Sequence, residues 1–158
     1  MSLARFVACD PEEPPASELL AEMAVELNAL YDRADRLDLP VLLPAELRAP
    51  VGTYLVGWEG QAAVAGGGVR HFDQGVAEIK RMFVRPAARS RGIAGELLTA
   101  LEVAARSLGY RSVRLDTGPK QEHAERLYRR AGFAPIAAYN DNPFASFWGE
   151  KDLDPPQS

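Results

Sequence analysis

The sequence predicts an α+β protein in which helices cover a mixed, twisted sheet. Three strand-like segments between residues 54 and 84 are separated by glycine-containing turns, which indicates an antiparallel meander. After Pro86 the apolar period changes from two to 3.6, and helical segments alternate with strand-like ones. A group of strands joined to alternating helices and strands is typical of the α+β class.

Length and composition indicate one compact unit. A chain of 158 residues with 47% hydrophobic and 25% charged residues matches an ordinary globular domain. We therefore predict a single domain over residues 1–153 and a frayed tail over 154–158. The formal net charge of −4 gives no reason to expect a general affinity for polyanions, so we expect no nucleic-acid partner.

The first half is predicted to contain a strand, a long helix and the meander. Residues 4–9 form the strand, and a helix begins near Ser17 with an acidic, solvent-facing side made of Glu18, Glu22 and Glu26. Prolines interrupt residues 32–50, for which we predict only one or two helical turns at a substrate entrance. The meander strands are predicted at 54–59, 62–72 and 76–84.

The second half is predicted to alternate helices and strands. The first helix has an apolar face made of Ile93, Leu97, Leu101, Ala104 and Leu108, and Gly109 ends it. A strand at 111–117, a helix at 121–131 and strands at 133–138 and 146–153 follow. We expect about seven strands and about four helices in all.

Cysteine content and the apolar segments indicate the compartment. Cys9 is the only cysteine, so an intramolecular disulfide and a cysteine-rich zinc site are excluded. The apolar run before Asp10 is too short for a signal-peptide core, and no later segment is long enough to span a membrane. We expect a cytoplasmic protein with no membrane partner, in which Cys9 packs inside the first strand.

The loop between residues 84 and 95 carries most of the functional information. It joins a strand to a helix start and combines Arg85, Arg89 and Arg91 with small residues, which suits an anion held by helix N–H groups and guanidinium groups. The Lys-Ser/Thr ending of a nucleotide P-loop and the G-x-G-x-x-G pattern are missing, which disfavours nucleotides and NAD. The residues of this loop alone also fit a nucleic-acid patch or a plain solvated loop.

Two separated motifs resemble the GNAT N-acetyltransferase superfamily. The first is Glu78-Ile79-Lys80-Arg81-Met82-Phe83-Val84-Arg85-Pro86 followed by Arg89-x-x-Gly92-x-Ala94. The second is Gln121-x-x-Ala124-x-x-Leu127-Tyr128-x-x-x-Gly132-Phe133, in the expected order and spacing. The resemblance implies a GNAT-like, mostly antiparallel sheet and an acetyl-CoA-dependent N-acetyltransferase that needs no metal.

The resemblance also implies where acetyl-CoA binds. Its pyrophosphate is expected on the loop, and its pantetheine arm beside the backbone of Phe83 and Val84. The cofactor-binding positions implied are Met82, Phe83, Val84, Arg89, Ser90, Arg91, Gly92, Ile93, Ala94, Gly95 and Gln121. Family members more often have Gly at the positions of Ser90 and Ala94, and Asn at that of Gln121.

Acyl transfer to an amine needs a group that takes the amine proton and a group that assists the leaving thiolate. Strand alternation places Glu78 on one face with Lys80, Met82 and Val84, so Glu78 is the first candidate base; it could equally pair with Lys80 or another cation. His71 or a water relay is an alternative. The resemblance places the Tyr128 hydroxyl near the CoA sulfur, as a hydrogen-bond donor or as a satisfied core aromatic.

The acceptor is predicted to be a small metabolite with a primary amine, such as an amino acid. Cationic or ionisable side chains at Arg70, His71, Lys80 and Arg81 could recognise its carboxylate or a phosphate. Asp32, Asp35 and the 139–144 connection could instead select a cationic amine or a protein terminus. Protein N-terminal or lysine acetylation, and a non-catalytic acyl-CoA-binding domain, are the alternatives; a homodimer through the last strands is also open.

Overall fold

The computed structural model describes residues 4–30 and 42–153, which contain seven strands and three α-helices. The strands are β1 (Arg5–Ala8), β2 (Thr53–Glu59), β3 (Ala62–Asp73), β4 (Val76–Val84), β5 (Ser112–Thr117), β6 (Ala134–Pro135) and β7 (Phe147–Asp152). The helices are α1 (Ala16–Leu30), α2 (Ile93–Ser107) and α3 (Glu122–Arg130). The predicted class is confirmed, and the described residues contain three of the roughly four helices expected. Asp32, Asp35 and the tail 154–158 lie outside the described residues.

The strands form one sheet in the order β1-β2-β3-β4-β5-β7-β6. All neighbouring strands are antiparallel except β4 and β5, which run parallel because α2 carries the chain across the sheet between them. The proline-rich segment contributes a 3-10 turn at Pro44–Leu47 within its described part. β6 is shorter than the predicted strand at 133–138, although the N–H of Ile136 still donates to the carbonyl of Trp148 in β7.

The sheet separates two apolar layers. α1 packs on one face, where Leu19 and Met23 contact Tyr54, Val56 and Phe83. On the other face the two later helices cover the sheet with a larger cluster that includes Ile93, Leu97, Leu101, Tyr128, Val69 and Ile79. Each fully buried Leu or Ile stabilises the fold by about 1.5–3 kcal/mol. In the described ranges no helix is both long enough and apolar enough to cross a membrane.

A β-bulge in the middle of β4 changes which side chains share a face. Gly66 pairs with Phe83 and Gly68 with Lys80, so β4 has one extra residue there, and Arg81 has a left-handed φ of 61°. The predicted common face for Glu78, Lys80, Met82 and Val84 is therefore wrong beyond the bulge. Met82 and Val84 pack with the α2 layer, whereas Phe83 packs with the α1 layer.

Gly67 makes room for this turn of the strand. A Cβ atom on Gly67 would lie 2.9 Å from Cδ1 of Leu101 and 3.3 Å from Cγ of Met82. A side chain at this position would thus compete with Met82 for space under α2. The bulge in β4 and the small residue Gly67 opposite it together place the Met82 side chain in the apolar layer under α2.

Candidate functional site

The candidate site is a cleft that opens where β4 and β5 separate. Their parallel pairing runs from Val76–Ser112 to Glu78–Arg114 and stops, although both strands continue. The cleft has a volume of about 150 Å³, and its walls are residues 79–83 of β4 and 116–118 at the end of β5. Other elements complete the lining with Met23, Glu26, Leu27, Gln121, Tyr128, Asn142 and Phe144. Both helical layers and the sheet therefore meet at this point.

Tyr128 points from α3 into this cleft and is only 8% exposed. Its hydroxyl donates to Sδ of Met82 at 3.7 Å, a long contact to a weak acceptor. Burial, and secondarily the carboxylate of Asp116, raises the pKa of Tyr128 well above that of an ordinary phenol. The hydroxyl therefore stays protonated at neutral pH and can donate a hydrogen bond to a group in the cleft.

Glu78 lies behind the cleft, and its carboxylate is held by one hydrogen bond and two ion pairs. The residue is 2% exposed; Oε2 accepts a hydrogen bond from the Tyr139 hydroxyl at 2.8 Å and lies 3.4 Å from Nζ of Lys80. Oε1 lies 3.0 Å from Nε of Arg70. The ion pair with Lys80, predicted as the alternative to catalysis, is present, and Lys80 is the member of the pair that lines the cleft. The role of Glu78 as a base stays a prediction.

Asp116 is a cleft residue that the sequence analysis did not identify. Its Oδ2 accepts a hydrogen bond from Nδ2 of Asn140 at 2.7 Å, and Oδ1 of Asn140 accepts one from Nε1 of Trp148 at 2.9 Å. Its Oδ1 lies 3.8 Å from Nζ of Lys80. The sequence around Asp116 does not predict that this residue lines the cleft, because it does so only where β4 and β5 separate.

The three arginines of the loop pair with carboxylates of other elements. Arg85 donates to both carboxylate oxygens of Glu22 and to the carbonyl of Ala63, so it ties the loop to α1 and β3. Arg89 donates to Glu26 at 2.7 Å, and Arg91 donates to both oxygens of Glu59. The acidic side of α1 is exposed as predicted, and in addition its Glu22 and Glu26 bind loop arginines, which the pattern did not predict.

Arg89 connects the loop to the cleft. Its Nε donates to the carbonyl of Val84 at 2.8 Å, and its guanidinium carbon lies 5.6 Å from the ring centre of Phe83, a cleft residue. Its partner Glu26 also lines the cleft. The loop, the end of β4 and α1 are thus joined at one corner of the site.

The start of α2 suits an anion. Gly92 has a left-handed φ of 85° at the N-cap, and no side chain caps the helix there. The N–H of Glu96 makes the first bond within the helix, to the carbonyl of Gly92, so the N–H groups of residues 93–95 have no partner in the helix. Ile93 contributes only its backbone to this surface because its side chain belongs to the core.

Gln121 lies at the N-cap of α3 and lines the cleft. Its Oε1 accepts hydrogen bonds from the Thr117 hydroxyl at 3.3 Å and from the Gly118 N–H at 3.4 Å. The Gln121 side chain, which is longer than the Asn common at this position in the family, therefore turns back to the end of β5 and holds the connection between β5 and α3. The cofactor-binding role that the resemblance implied for Gln121 stays a prediction.

Two of the predicted acceptor residues do not reach the cleft. His71 is exposed near the far end of β3, where its Nδ1 lies 3.3 Å from the Tyr110 hydroxyl, and it does not line the cleft, so its geometry gives no support to a role as base or acceptor residue. Arg70 contacts Glu46 and Glu78 and does not line the cleft. Lys80 and Arg81 do line it. Strand alternation could not predict which of these side chains line the cleft, because it does not show where β4 and β5 separate.

The chain matches the model of the acetyltransferase (GNAT) family over residues 17–133. It is 33% identical over 149 residues to the IAA acetyltransferase of Azospirillum brasilense, an alignment that covers 90% of this chain and 94% of that protein. The chain therefore belongs to the GNAT family of acetyltransferases, whose co-substrate is acetyl-CoA.

Solved structures show the same fold. An acetyltransferase of the GNAT family from Staphylococcus aureus Mu50 is 18% identical and superposes with a TM-score of 0.77, covering 96% of this chain and 100% of that one. A GNAT family acetyltransferase from Elizabethkingia anophelis with acetyl-CoA bound is 17% identical, with a TM-score of 0.67 and coverage of 95% and 98%. The predicted GNAT-like fold is confirmed by this similarity.

Proposed function

We propose that this protein transfers an acetyl group from acetyl-CoA directly to a primary amine on a small metabolite such as an amino acid. The observation that carries the proposal is the cleft between β4 and β5. It joins a buried tyrosine hydroxyl, cationic side chains of β4 and, through Arg89, the loop at the start of α2.

The residues at this corner fit acetyl-CoA. The N–H groups of residues 93–95, with Arg89 and Arg91, would hold the pyrophosphate, and residues 82–84 would lie beside the pantetheine arm. The side chains of Arg89 and Arg91 are 41% and 51% exposed. Such exposed ion pairs contribute at most about 1 kcal/mol each, so a pyrophosphate can replace Glu26 and Glu59 as their partner.

The thioester supplies an activated acetyl group. The amine nitrogen forms the new C–N bond, and the C–S bond breaks. The amine proton goes to a base, and the sulfur takes up a proton. Tyr128 serves this step as a hydrogen-bond donor. A phenol is a weaker acid than a thiol by about 1.5 pKa units, and burial widens that gap, so outright proton donation is uphill. A backbone N–H near Val84 is the proposed donor to the thioester carbonyl.

The environment of the Cys9 thiol favours direct transfer to the amine over an acetyl-enzyme intermediate. Burial raises the pKa of the Cys9 thiol, which disfavours the nucleophilic thiolate, and the residue is not among those that line the cleft. A protein acetylated on Cys9 after incubation with acetyl-CoA alone, detected by peptide mass spectrometry and competent to acetylate an amine, would contradict direct transfer.

The test of the proposed function is thiol release from acetyl-CoA over a panel of amino acids, polyamines, aminoglycosides and N-terminal peptides. We expect release with amino acids, accompanied by an N-acetylated product in the mass spectrum. A clear preference for peptides would favour the protein-acetylating alternative. Binding of acetyl-CoA without turnover of any amine would favour the non-catalytic one and overturn the proposal.

Glu78→Gln tests the proposed base. Its carboxylate does not line the cleft, so the amine proton would reach it through Lys80, Tyr139 or water. If Glu78 is the base, kcat/KM should fall by about 100-fold at neutral pH. The dependence of kcat/KM on pH should also change in the variant, because loss of a general base leaves removal of the amine proton to solvent.

Glu46→Gln is the matched control, since Glu46 also pairs with Arg70 but is more exposed and does not line the cleft. It should keep the wild-type pH profile. A Glu78→Gln variant that loses thermal stability yet retains that profile would assign Glu78 to holding Arg70, Lys80 and Tyr139 in place, and would leave the proton to a water relay.

Homodimer formation and a cytoplasmic location stay predictions. Sedimentation of the purified chain would decide the first, and fractionation of expressing cells the second.

A further inference from the structure

An apolar cavity adjoins the cleft on the α1 side of the sheet. It has a volume of about 240 Å³ and lies between α1 and the 3-10 turn at Pro44–Leu47. Its apolar lining includes Leu20, Met23, Ala24, Leu27, Leu42 and Leu47. Because Met23 and Leu27 line both cavities, the apolar space meets the cleft where β4 carries its bulge.

Arg81 is the cationic residue at this junction. It is the residue with left-handed φ in the bulge, and it lines both the cleft and the apolar cavity. Burial lowers the pKa of Arg81, while the carboxylates of Glu78 and Asp116 act in the opposite direction. A guanidinium in such partly desolvated surroundings forms stronger hydrogen bonds to a carboxylate than one on the open surface does.

Charges of both signs lie around Arg81. The cations are Arg70, Lys80 and Arg81, and the carboxylates that act on Arg81 are Glu78 and Asp116. A ligand carboxylate can pair with a cation of this cluster, and a ligand amine can bind a carboxylate of it, so a molecule that carries both groups finds a partner for each.

We propose that the acceptor is an α-amino acid with an apolar side chain. Its side chain occupies the apolar cavity, its carboxylate contacts Arg81, and its amine points into the cleft toward Asp116. This assignment rests on the proposed function and names the acceptor class of the same site. It makes α1 the element that selects the acceptor, through residues outside both sequence motifs.

The first test compares acceptors by thiol release. L-Leucine, L-methionine and L-phenylalanine should be better acceptors than glycine, L-serine and L-aspartate, by about fourfold in kcat/KM for each methylene that enters the cavity. L-Leucinamide, which lacks the carboxylate, should be at least about tenfold poorer than L-leucine. Equal rates with the polar and apolar series would overturn the proposal.

Arg81→Gln separates carboxylate recognition from a general loss of activity. In this variant the preference for L-leucine over L-leucinamide should disappear, because the amide loses nothing when the guanidinium is removed. Arg5→Gln, an exposed arginine on the edge strand β1, is the control and should keep the preference. If Arg81→Gln also keeps it, the carboxylate binds elsewhere.

Ala24→Leu tests the cavity, because Ala24 lines it and a leucine there would occupy part of its volume. The variant should lower kcat/KM for L-phenylalanine and L-leucine about tenfold and leave glycine unchanged. Ala21→Leu, at an exposed position of the same helix, is the matched control and should have no effect on any acceptor. An equal loss for all acceptors in Ala24→Leu would contradict the assignment.

Calorimetry with CoA present distinguishes failure of this inference from failure of the proposed function. L-Leucine should bind the wild type and Ala21→Leu, and should bind Ala24→Leu and Arg81→Gln at least about tenfold more weakly. If no amine is acetylated but this pattern is observed, the proposed function fails and the binding site stands. If other amines are acetylated and L-leucine does not bind, the site assignment fails alone.

Discussion

Tyr128→Phe is expected to lower kcat about 100-fold while leaving the affinity for acetyl-CoA within about twofold of wild type. The ring of Tyr128 packs in the core and against Phe133, so the phenylalanine keeps its packing. Only the hydroxyl is removed, and its contact in the free protein is the weak one to Sδ of Met82. The loss should therefore appear when charge develops on the leaving sulfur, not when the co-substrate binds.

The measurement is steady-state thiol release at saturating acetyl-CoA, with the dissociation constant of CoA taken from calorimetry. Tyr110→Phe is the matched control, since Tyr110 is similarly buried and its hydroxyl donates to the carbonyl of Val51 at 2.6 Å, away from the cleft. The control should lose more stability than Tyr128→Phe and retain kcat. A wild-type kcat in Tyr128→Phe would remove the proposed role.

The raised pKa of Tyr128 also makes a prediction for the wild type. Because burial favours the neutral phenol, its hydroxyl should remain a donor throughout the mildly alkaline range. We expect no decline in kcat from ionisation of this tyrosine below about pH 10. A decline below that pH that disappears in Tyr128→Phe would contradict this environment for the hydroxyl.

Gly92→Ala is expected to raise the KM for acetyl-CoA at least about tenfold, with kcat changed by no more than about threefold. Gly92 has a φ of 85°, and an L-residue in this left-handed region costs about 1–2 kcal/mol. Relaxation of that strain would change the direction of the first N–H groups of α2, so that they would no longer point together at the proposed pyrophosphate position. The added methyl group itself meets no other atom within 4 Å, so a direct clash within the protein does not explain the effect.

Gly109→Ala controls for backbone strain at the opposite end of the same helix. Gly109 has a φ of 100° and equally open surroundings. Both variants should lose about 1 kcal/mol of unfolding free energy, as measured by urea denaturation, but only Gly92→Ala should change the KM. An unchanged KM in Gly92→Ala would show that the pyrophosphate does not depend on this helix start.

Much of the fold is local in origin and could be predicted. The helix from Ala16 to Leu30 and the helix from Ile93 to Ser107 follow from apolar residues at helical spacing. The hairpins between β2, β3 and β4 follow from turn glycines at positions 60 and 75, both of which adopt positive φ. Glu26 shows the limit of such local patterns. Its place on a polar helix face predicted contact with solvent, but it could not predict the ion pair with Arg89.

The sequence by itself determined the class of the protein, the order of its elements and the loop and tyrosine that the resemblance assigns to acetyl-CoA, because these depend on periodicity and on motifs contiguous in the chain. Tertiary structure decided which side chains face the cleft. The bulge at Arg81 reverses the alternation of β4, and the separation of β5 exposes Asp116. The bulge depends on the register of β4 against β3, and the exposure of Asp116 depends on pairing between β4 and β5 across the intervening α2, so neither can be read from the residues of one segment.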